Sequence, residues 1–295
     1  MQGLLENKVV AITGGGSGIG KATALLFSEH GAKIAVIDNN ASYLEQLKQE
    51  FSETKGSLLC FSGDVRNTED VRNFVQQIKI EFQQLNILVN NVGDFLGRIK
   101  PLSAMTDQDI DDLFSVNLRQ VMIVCRECIP LMQDSAKHSL AGTDSIDGGS
   151  IISISSIEGY RGMPNIAPYG AYKLGLEGFT KSLALELAPN RIRVNAIAPE
   201  TTETEQVQPR QWIAEEDYKR PNHWVPLGRF GKPRDHAGCA LFLASPLSEW
   251  VTGTVIHADG GALAAAGWYL TPHGAWTNTP IVDRSAIAGL MPEDQ

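Results

Sequence analysis

The sequence is poor in the features that mark several protein classes. Its four cysteines, Cys60, Cys125, Cys128 and Cys239, are too few for a disulfide framework, and reduced thiols are expected. Cys125 and Cys128 form a C-x-x-C pair. No second pair and no histidines at ligand spacing complete a metal site, so the two are read as small residues on a helix. Positive charge is scarce: 25 Lys and Arg stand against 34 Asp and Glu, a formal net charge of −9, with no basic cluster. This speaks against nucleic acid or an anionic membrane surface as the main partner. No apolar run approaches membrane-spanning length, and the segment from Met1 to Lys8 is too short and polar for a secretory leader. A soluble cytoplasmic protein is expected. Linkers rich in Gly, Ser or Pro are also missing, so residues 1–295 are expected to form one domain.

What is present is an alternation of two kinds of segment. Short apolar runs, Lys8 to Ile12, Ala32 to Ile37, Ser57 to Phe61, Asn86 to Val89, Ser150 to Ser155, Arg191 to Ala198 and Thr254 to His257, read as strands. Between them lie segments of helical period: one through Phe27, then Ser42 to Phe51, Thr68 to Phe82, Gln108 to Met132, Pro168 to Leu187 and Pro233 to Ala244. Strands that are apolar throughout imply a sheet covered on both faces. The fold class is therefore α/β: a doubly wound Rossmann fold with a mostly parallel seven-stranded sheet and helices on both faces. Three stretches stand outside the alternation. Asp134 to Gly149 reads as an exposed polar loop. Residues 200–229 form an insertion carrying Trp212, Tyr218 and Trp224, read as a lid. The extension 262–295 holds Trp268, Tyr269 and Trp276, and its segment from Gly267 to Val282 is expected to pack on the same subunit or a neighbour.

Two motifs carry the chemistry. After the first strand comes Thr13-Gly14-Gly15-Gly16-Ser17-Gly18-Ile19-Gly20, leading into a helix. Glycine permits close backbone approach there, and the helix presents free N–H groups and a positive dipole end to a diphosphate. Asp38 ends the second strand, where its carboxylate can accept from both ribose hydroxyls and would repel a 2′-phosphate. With Ser17, not a base, in the glycine turn, NAD is the expected cofactor. The second motif is Ser156 followed by Tyr169-Gly170-Ala171-Tyr172-Lys173. A helix puts Tyr169 and Lys173 on one face, where the ammonium is expected to lower a phenol pKa normally near ~10. Tyr169 is then the acid/base and Ser156 the holder of the substrate oxygen. Tyr172 lies about 300° around the helix and is assigned to packing or the substrate side.

With Asp64, Asn90-Asn91-x-Gly93, Asn117 and the closing Asp259-Gly260-Gly261, these residues resemble the short-chain dehydrogenase/reductase family in its short, single-domain branch, over Lys8 to Gly261. The resemblance implies an NAD-dependent oxidoreductase that interconverts an alcohol and a ketone. It implies that Gly14, Ser17, Gly18, Ile19 and Gly20 form the phosphate turn, and that Asp64 and Val65 hold the adenine. Asn91 and Gly93 would line the adenosine side, with Asn90 bracing the sheet through Thr13. Pro199, Thr202 and Thr204 would meet the nicotinamide, Lys173 its ribose, and Asn117 a water leading to solvent. A homo-oligomer, dimer or tetramer, is implied as well.

The sequence departs from that pattern at Pro199-Glu200, where the family has Pro-Gly; Glu200 either puts a charge near the site mouth or points to water, and is expected to leave cofactor binding intact. Phe95, Leu96, Met163, Trp212, Tyr218 and Trp224 are the candidate substrate residues. They suggest a bulky apolar or cyclic alcohol or ketone of steroid, terpenoid or cyclic-diol type, unless they serve only to fasten the lid. Two other functions remain open: an NADPH-type ketoreductase acting on an acyl thioester, and a non-enzymatic NAD-binding sensor or scaffold.

Overall fold

The computed structural model describes residues 3–52, 56–140, 147–211, 213, 215–219, 225–267, 269–270 and 276–277. Seven parallel strands form one sheet in the order β3-β2-β1-β4-β5-β6-β7. They are β1 (Val9–Thr13), β2 (Lys33–Asp38), β3 (Leu58–Ser62), β4 (Ile87–Asn90), β5 (Gly149–Ile154), β6 (Ile192–Pro199) and β7 (Val255–Ala258). The main connecting helices are α1 (Gly18–Glu29), α2 (Ala41–Ser52), α3 (Thr68–Phe82), α4 (Asp107–Phe114), α5 (Gln120–Leu140), α6 (Ala167–Leu187) and α8 (Pro233–Ala244). Two shorter helices among the described residues are α7 (Glu215–Tyr218) and α9 (Ala262–Ala265).

The period-2 geometry of a strand explains why the runs are apolar throughout. In β1, Val9 and Ala11 enter one core with Phe74, Val124, Met132 and Leu183, from α3, α5 and α6. Val10 and Ile12 enter the other with Ala24, Phe27, Leu47 and Leu243, from α1, α2 and α8. Strand order reverses beside β1, which pairs with β2 on one edge and β4 on the other. A crevice opens there beyond the carboxyl ends, with Thr13 in register with Asn90.

Two expectations need correction. The segment from Asp134 is not loop from its start, because α5 continues through Leu140; residues 141–146 lie outside the described set. Asp147 beyond them is buried and pairs with Lys8 at 3.4 Å and Arg193 at 3.7 Å. The single helix expected around Asn117 is interrupted by a π-helical turn, Ser115–Arg119. Within the tail, Tyr269–Leu270 pairs antiparallel with Trp276–Thr277; Trp268 lies outside the described residues. Among the described residues no helix is long and apolar enough to cross a membrane.

Candidate active site

The glycine turn forms because no larger residue fits it. Gly14 has φ +62°, and a Cβ on Gly20 would stand 2.2 Å from the Gly14 carbonyl. The side chain of Ser17, at the N-cap of α1, makes no capping bond. Thr23 Oγ1 donates to the Ile19 carbonyl at 2.8 Å, and the Ile19 side chain packs on the core. Asp38 is buried over this turn: Oδ2 accepts from the Gly16 N–H at 3.0 Å and Oδ1 from the Asn40 N–H at 2.9 Å. A carboxylate so held at the end of β2 keeps lone pairs for the hydroxyls of a ribose. Across the crevice, Asn91 Nδ2 donates to the Gly14 carbonyl at 2.9 Å, tying the β4 end to the β1 turn. The sheet brace differs from the one expected of Asn90. Thr13 Oγ1 accepts from the backbone of Asn91 at 3.0 Å and Val92 at 3.4 Å, while Asn90 Nδ2 reaches Cys125 Sγ and Ser153 Oγ at 3.4 Å each.

Asp64 and Val65 follow β3. Val65 is buried. The Asp64 carboxylate takes two hydrogen bonds from Arg66 Nε, at 2.9 and 3.1 Å, and one from Nη2 at 2.6 Å. Burial penalises its charge, but the Arg66 bonds outweigh that and hold its pKa below the ordinary value. Thr204 sits against the glycine turn, its Cγ2 3.2 Å from where a Gly18 Cβ would be. Thr202, expected at the nicotinamide, is committed elsewhere: its hydroxyl donates to the Glu200 carbonyl at 2.8 Å and shares a 2.6 Å contact with His236 Nε2. Burial lowers the His236 pKa to about 4, so the ring is neutral and Thr202 braces the loop after β6. Pro199 closes β6 in register with Ala258.

Ser156, Tyr169, Lys173 and Asn117 converge at the same edge of the sheet. Ser156 follows β5, its hydroxyl oxygen accepting from the Glu158 N–H at 3.2 Å, and it stands close enough to Tyr169 to favour the phenolate. Lys173 Nζ lies 5.6 Å from the centre of the Tyr169 ring and donates to the Ile154 carbonyl at 2.9 Å. A Cβ on Gly93 would be 2.6 Å from Lys173 Nζ and 3.2 Å from Asn117 Oδ1, so glycine there lets the two groups close in. The π-turn turns Asn117 inward: its Nδ2 donates to the carbonyls of Asp94 at 2.8 Å and Leu113 at 3.0 Å, and its Oδ1 accepts from the Asp94 N–H at 3.0 Å. Tyr172 packs on Phe114, ring centres 5.5 Å apart, away from this group.

The electrostatics differ from the expectation. Burial raises the Tyr169 pKa above that of a free phenol; the Ser156 hydroxyl lowers it, and the carboxylates of Glu158 and Asp94 raise it further. Desolvation brings Lys173 down to about 8. In the protein alone the Tyr169 pKa is raised, not lowered as expected, and Tyr169 is a protonated phenol at neutral pH. Glu158 and Asp94 were not marked in the sequence, although Glu158 lies two residues beyond Ser156.

Glu200 does not point to water. Its side chain is 5% exposed and pairs with Arg161 Nη2 at 2.6 Å; Arg161 also binds Glu158 at 2.7 Å. Glu200 thus links the β6 end to the turn carrying Ser156. Phe95 lies over Tyr169, ring centres 4.2 Å apart. Its loop is fastened to α4 by Arg98 and Lys100, which pair with Asp109 at 2.7 and 2.6 Å. Tyr218 fastens its segment: its ring centre lies 5.4 Å from that of Phe230, and its hydroxyl donates to Glu203. Trp212 and Trp224 lie outside the described residues. Cys125 and Cys128 are free and buried, and burial pushes the Cys125 thiol up to about 12.

A doubly wound sheet with a glycine turn at its switch point and a Ser–Tyr–Lys group beside it defines a dinucleotide-binding oxidoreductase class. The chain belongs to the short-chain dehydrogenase/reductase family: residues 14–262 match the family model described as enoyl-(acyl carrier protein) reductase. It is 37% identical over 257 residues to a 3-oxoacyl-[acyl-carrier-protein] reductase of Thermotoga maritima, covering 87% of this chain and 98% of that one. Among solved structures, levodione reductase superposes with a TM-score of 0.79 at 31% identity, covering 88% of this chain and 99% of that one. The 3-ketoacyl-(acyl-carrier-protein) reductase of Brucella melitensis, complexed with NADH, gives 0.76 at 31% identity over the same shares. The family binds a nicotinamide cofactor. The glycine turn of this chain and the cradle around Gly93 have the backbone geometry to receive one.

Proposed function

We propose that the protein is an NAD-dependent oxidoreductase that interconverts a secondary alcohol and a ketone. The observation that carries this reading is the convergence of Ser156, Tyr169 and Lys173 beside the crevice. Tyr169, protonated in the free protein, donates its proton to the substrate oxygen in ketone reduction and takes it back in alcohol oxidation. Ser156 holds that oxygen and stabilises the charge developing on it. Lys173 adds positive charge near the phenol and binds the nicotinamide ribose; Asn117 fixes the backbone at Asp94 and lines the proton route to solvent. The cofactor, when bound, gives or accepts the hydride. Gly14, Ser17, Gly18, Ile19, Gly20, Asp64, Val65, Asn91, Gly93, Pro199 and Thr204 complete its seat.

Asp38 supports NAD over NADP, because a buried carboxylate at the ribose repels a 2′-phosphate. Phe95 supports a cyclic substrate of steroid, terpenoid or cyclic-diol type, offering an aromatic face beside the acid/base. A second reading, an NADPH-type reductase of acyl thioesters, is supported by the Thermotoga relative. Initial rates with NAD(H) and NADP(H), over cyclic alcohols, cyclic ketones and a 3-oxoacyl thioester, separate the two. The first reading expects kcat/KM for NAD(H) higher by at least about tenfold, and Asp38→Ala to erase the preference. A preference for NADP(H) with the thioester favours the second.

We read the protein as cytoplasmic, consistent with its four free thiols. A homo-oligomer is supported by exposed apolar side chains, Trp250 at 93% and Leu185 at 78%; a monomer by light scattering would contradict it.

A further inference from the structure

The cofactor reading places a diphosphate over the first turn of α1, and the chain itself already puts an anion there. Glu205 Oε2 accepts from the Gly18 N–H at 2.9 Å, and its other oxygen lies 3.7 Å from Lys21 Nζ. The physics is that of phosphate binding: an N–H left over at a helix start, a positive dipole end and a cation one turn on. Glu205 is 42% exposed, so solvent and ligands reach it.

Its neighbours make the contact part of a strap. Thr204 packs on Gly18, and Gln206 Nε2 donates to the Gly93 carbonyl at 3.3 Å. The turn between is fixed, with the Thr204 N–H bonded to the Val207 carbonyl and the Val207 N–H to Thr204 Oγ1, each at 2.9 Å. Residues 204–206 therefore span from the glycine turn to the β4 turn, across the crevice that a dinucleotide must enter. Between α1 and this segment lies a cavity of about 530 Å³, lined by Lys21, Leu25, Val207 and Pro209 among others, which leaves room for displacement.

We propose that Glu205 is an internal competitor for the diphosphate seat: the carboxylate occupies the Gly18 N–H, cofactor binding displaces it, and its removal tightens cofactor binding. The proposal rests on the reading that this crevice takes a nicotinamide dinucleotide. Carboxylate and diphosphate cannot both accept from one N–H at full strength, and two anions at that spacing repel. Each binding event therefore breaks the Glu205 bond and moves the strap, so one side chain sets both affinity and the position of residues 204–206.

The test is fluorescence titration of NADH into the full-length wild type, Glu205→Gln and Glu205→Ala, with amide hydrogen exchange at Gly18 in the free proteins. The expected result is a Kd lower by about tenfold in Glu205→Ala, the loss of one charge-assisted hydrogen bond to be broken. Glu205→Gln should fall between, and Gly18 should exchange faster in the free Ala variant. Saturable binding with an unchanged or higher Kd in both variants overturns the proposal and leaves the cofactor reading standing. No NADH binding by any of the three folded proteins overturns the cofactor reading and this proposal with it.

Discussion

A lysine that is 2% exposed is a costly residue to keep. Desolvation depresses the Lys173 pKa from 10.5 to about 8. At about 1.4 kcal/mol per pKa unit, the charged form costs the fold about 3 kcal/mol. The sign follows from proton counts. Between pH 8 and 10.5 the unfolded chain holds more protons than the folded one, so stability rises with pH through that window; below it the whole cost is present. Lys173→Met should therefore melt several degrees higher than wild type at neutral pH, with the gain shrinking towards pH 10, while turnover collapses. Thermal melts at both pH values check this, and an equal or lower melting temperature at neutral pH contradicts it. That Tyr169 and Lys173 share a helix face and that Ser156 follows a strand was legible from spacing, whereas Asn117 was marked only by the family resemblance. Their charge states were not legible. The Tyr169 pKa is set by burial and by Glu158 and Asp94, which reach it through the fold and leave no mark at fixed spacing.

At the scale of elements, the ends of β5 and β6 are joined by charge. Arg161, just beyond β5, is shared between Glu158 and Glu200, and Glu200 also accepts from the Thr201 N–H at 2.8 Å. Where the family has a glycine, this chain has a strut behind Ser156. Arg161 balances the carboxylate of Glu158, which otherwise disfavours the Tyr169 phenolate. Arg161→Met should raise the kinetic pKa assigned to Tyr169 by about half a unit to one unit, and Glu158→Gln should lower it by a similar amount. The pH dependence of kcat/KM reads both shifts; two profiles that move together, or not at all, leave Arg161 a purely structural role. Periodicity located the strands and long helices but missed the π-turn at Ser115–Arg119. That turn adds a residue to the helix locally and leaves the apolar pattern on either side intact. The Arg161–Glu200 pair was hidden for another reason: its partners belong to different strand ends, so only the folded sheet brings them together.

For the whole molecule, strand order and function are one statement. Reversal of the sheet beside β1 opens the crevice, β1 and β2 bring the glycine turn and Asp38 to one half of it, and β5 and α6 bring Ser156, Tyr169 and Lys173 to the other. The alternation of apolar and helical segments made the sheet legible in the sequence. Glu205 on the strap was not, because an acidic residue in an acidic loop gives no sign of the helix start it will meet. The most direct measurement is single-turnover hydride transfer, followed by nicotinamide absorbance with NADH and a cyclic ketone, in wild type and Tyr169→Phe. The account predicts a fall in rate of at least about a hundredfold in the variant, with NADH affinity changed little. Equal rates in the two proteins would contradict Tyr169 as the acid/base, and with it the reading of the site.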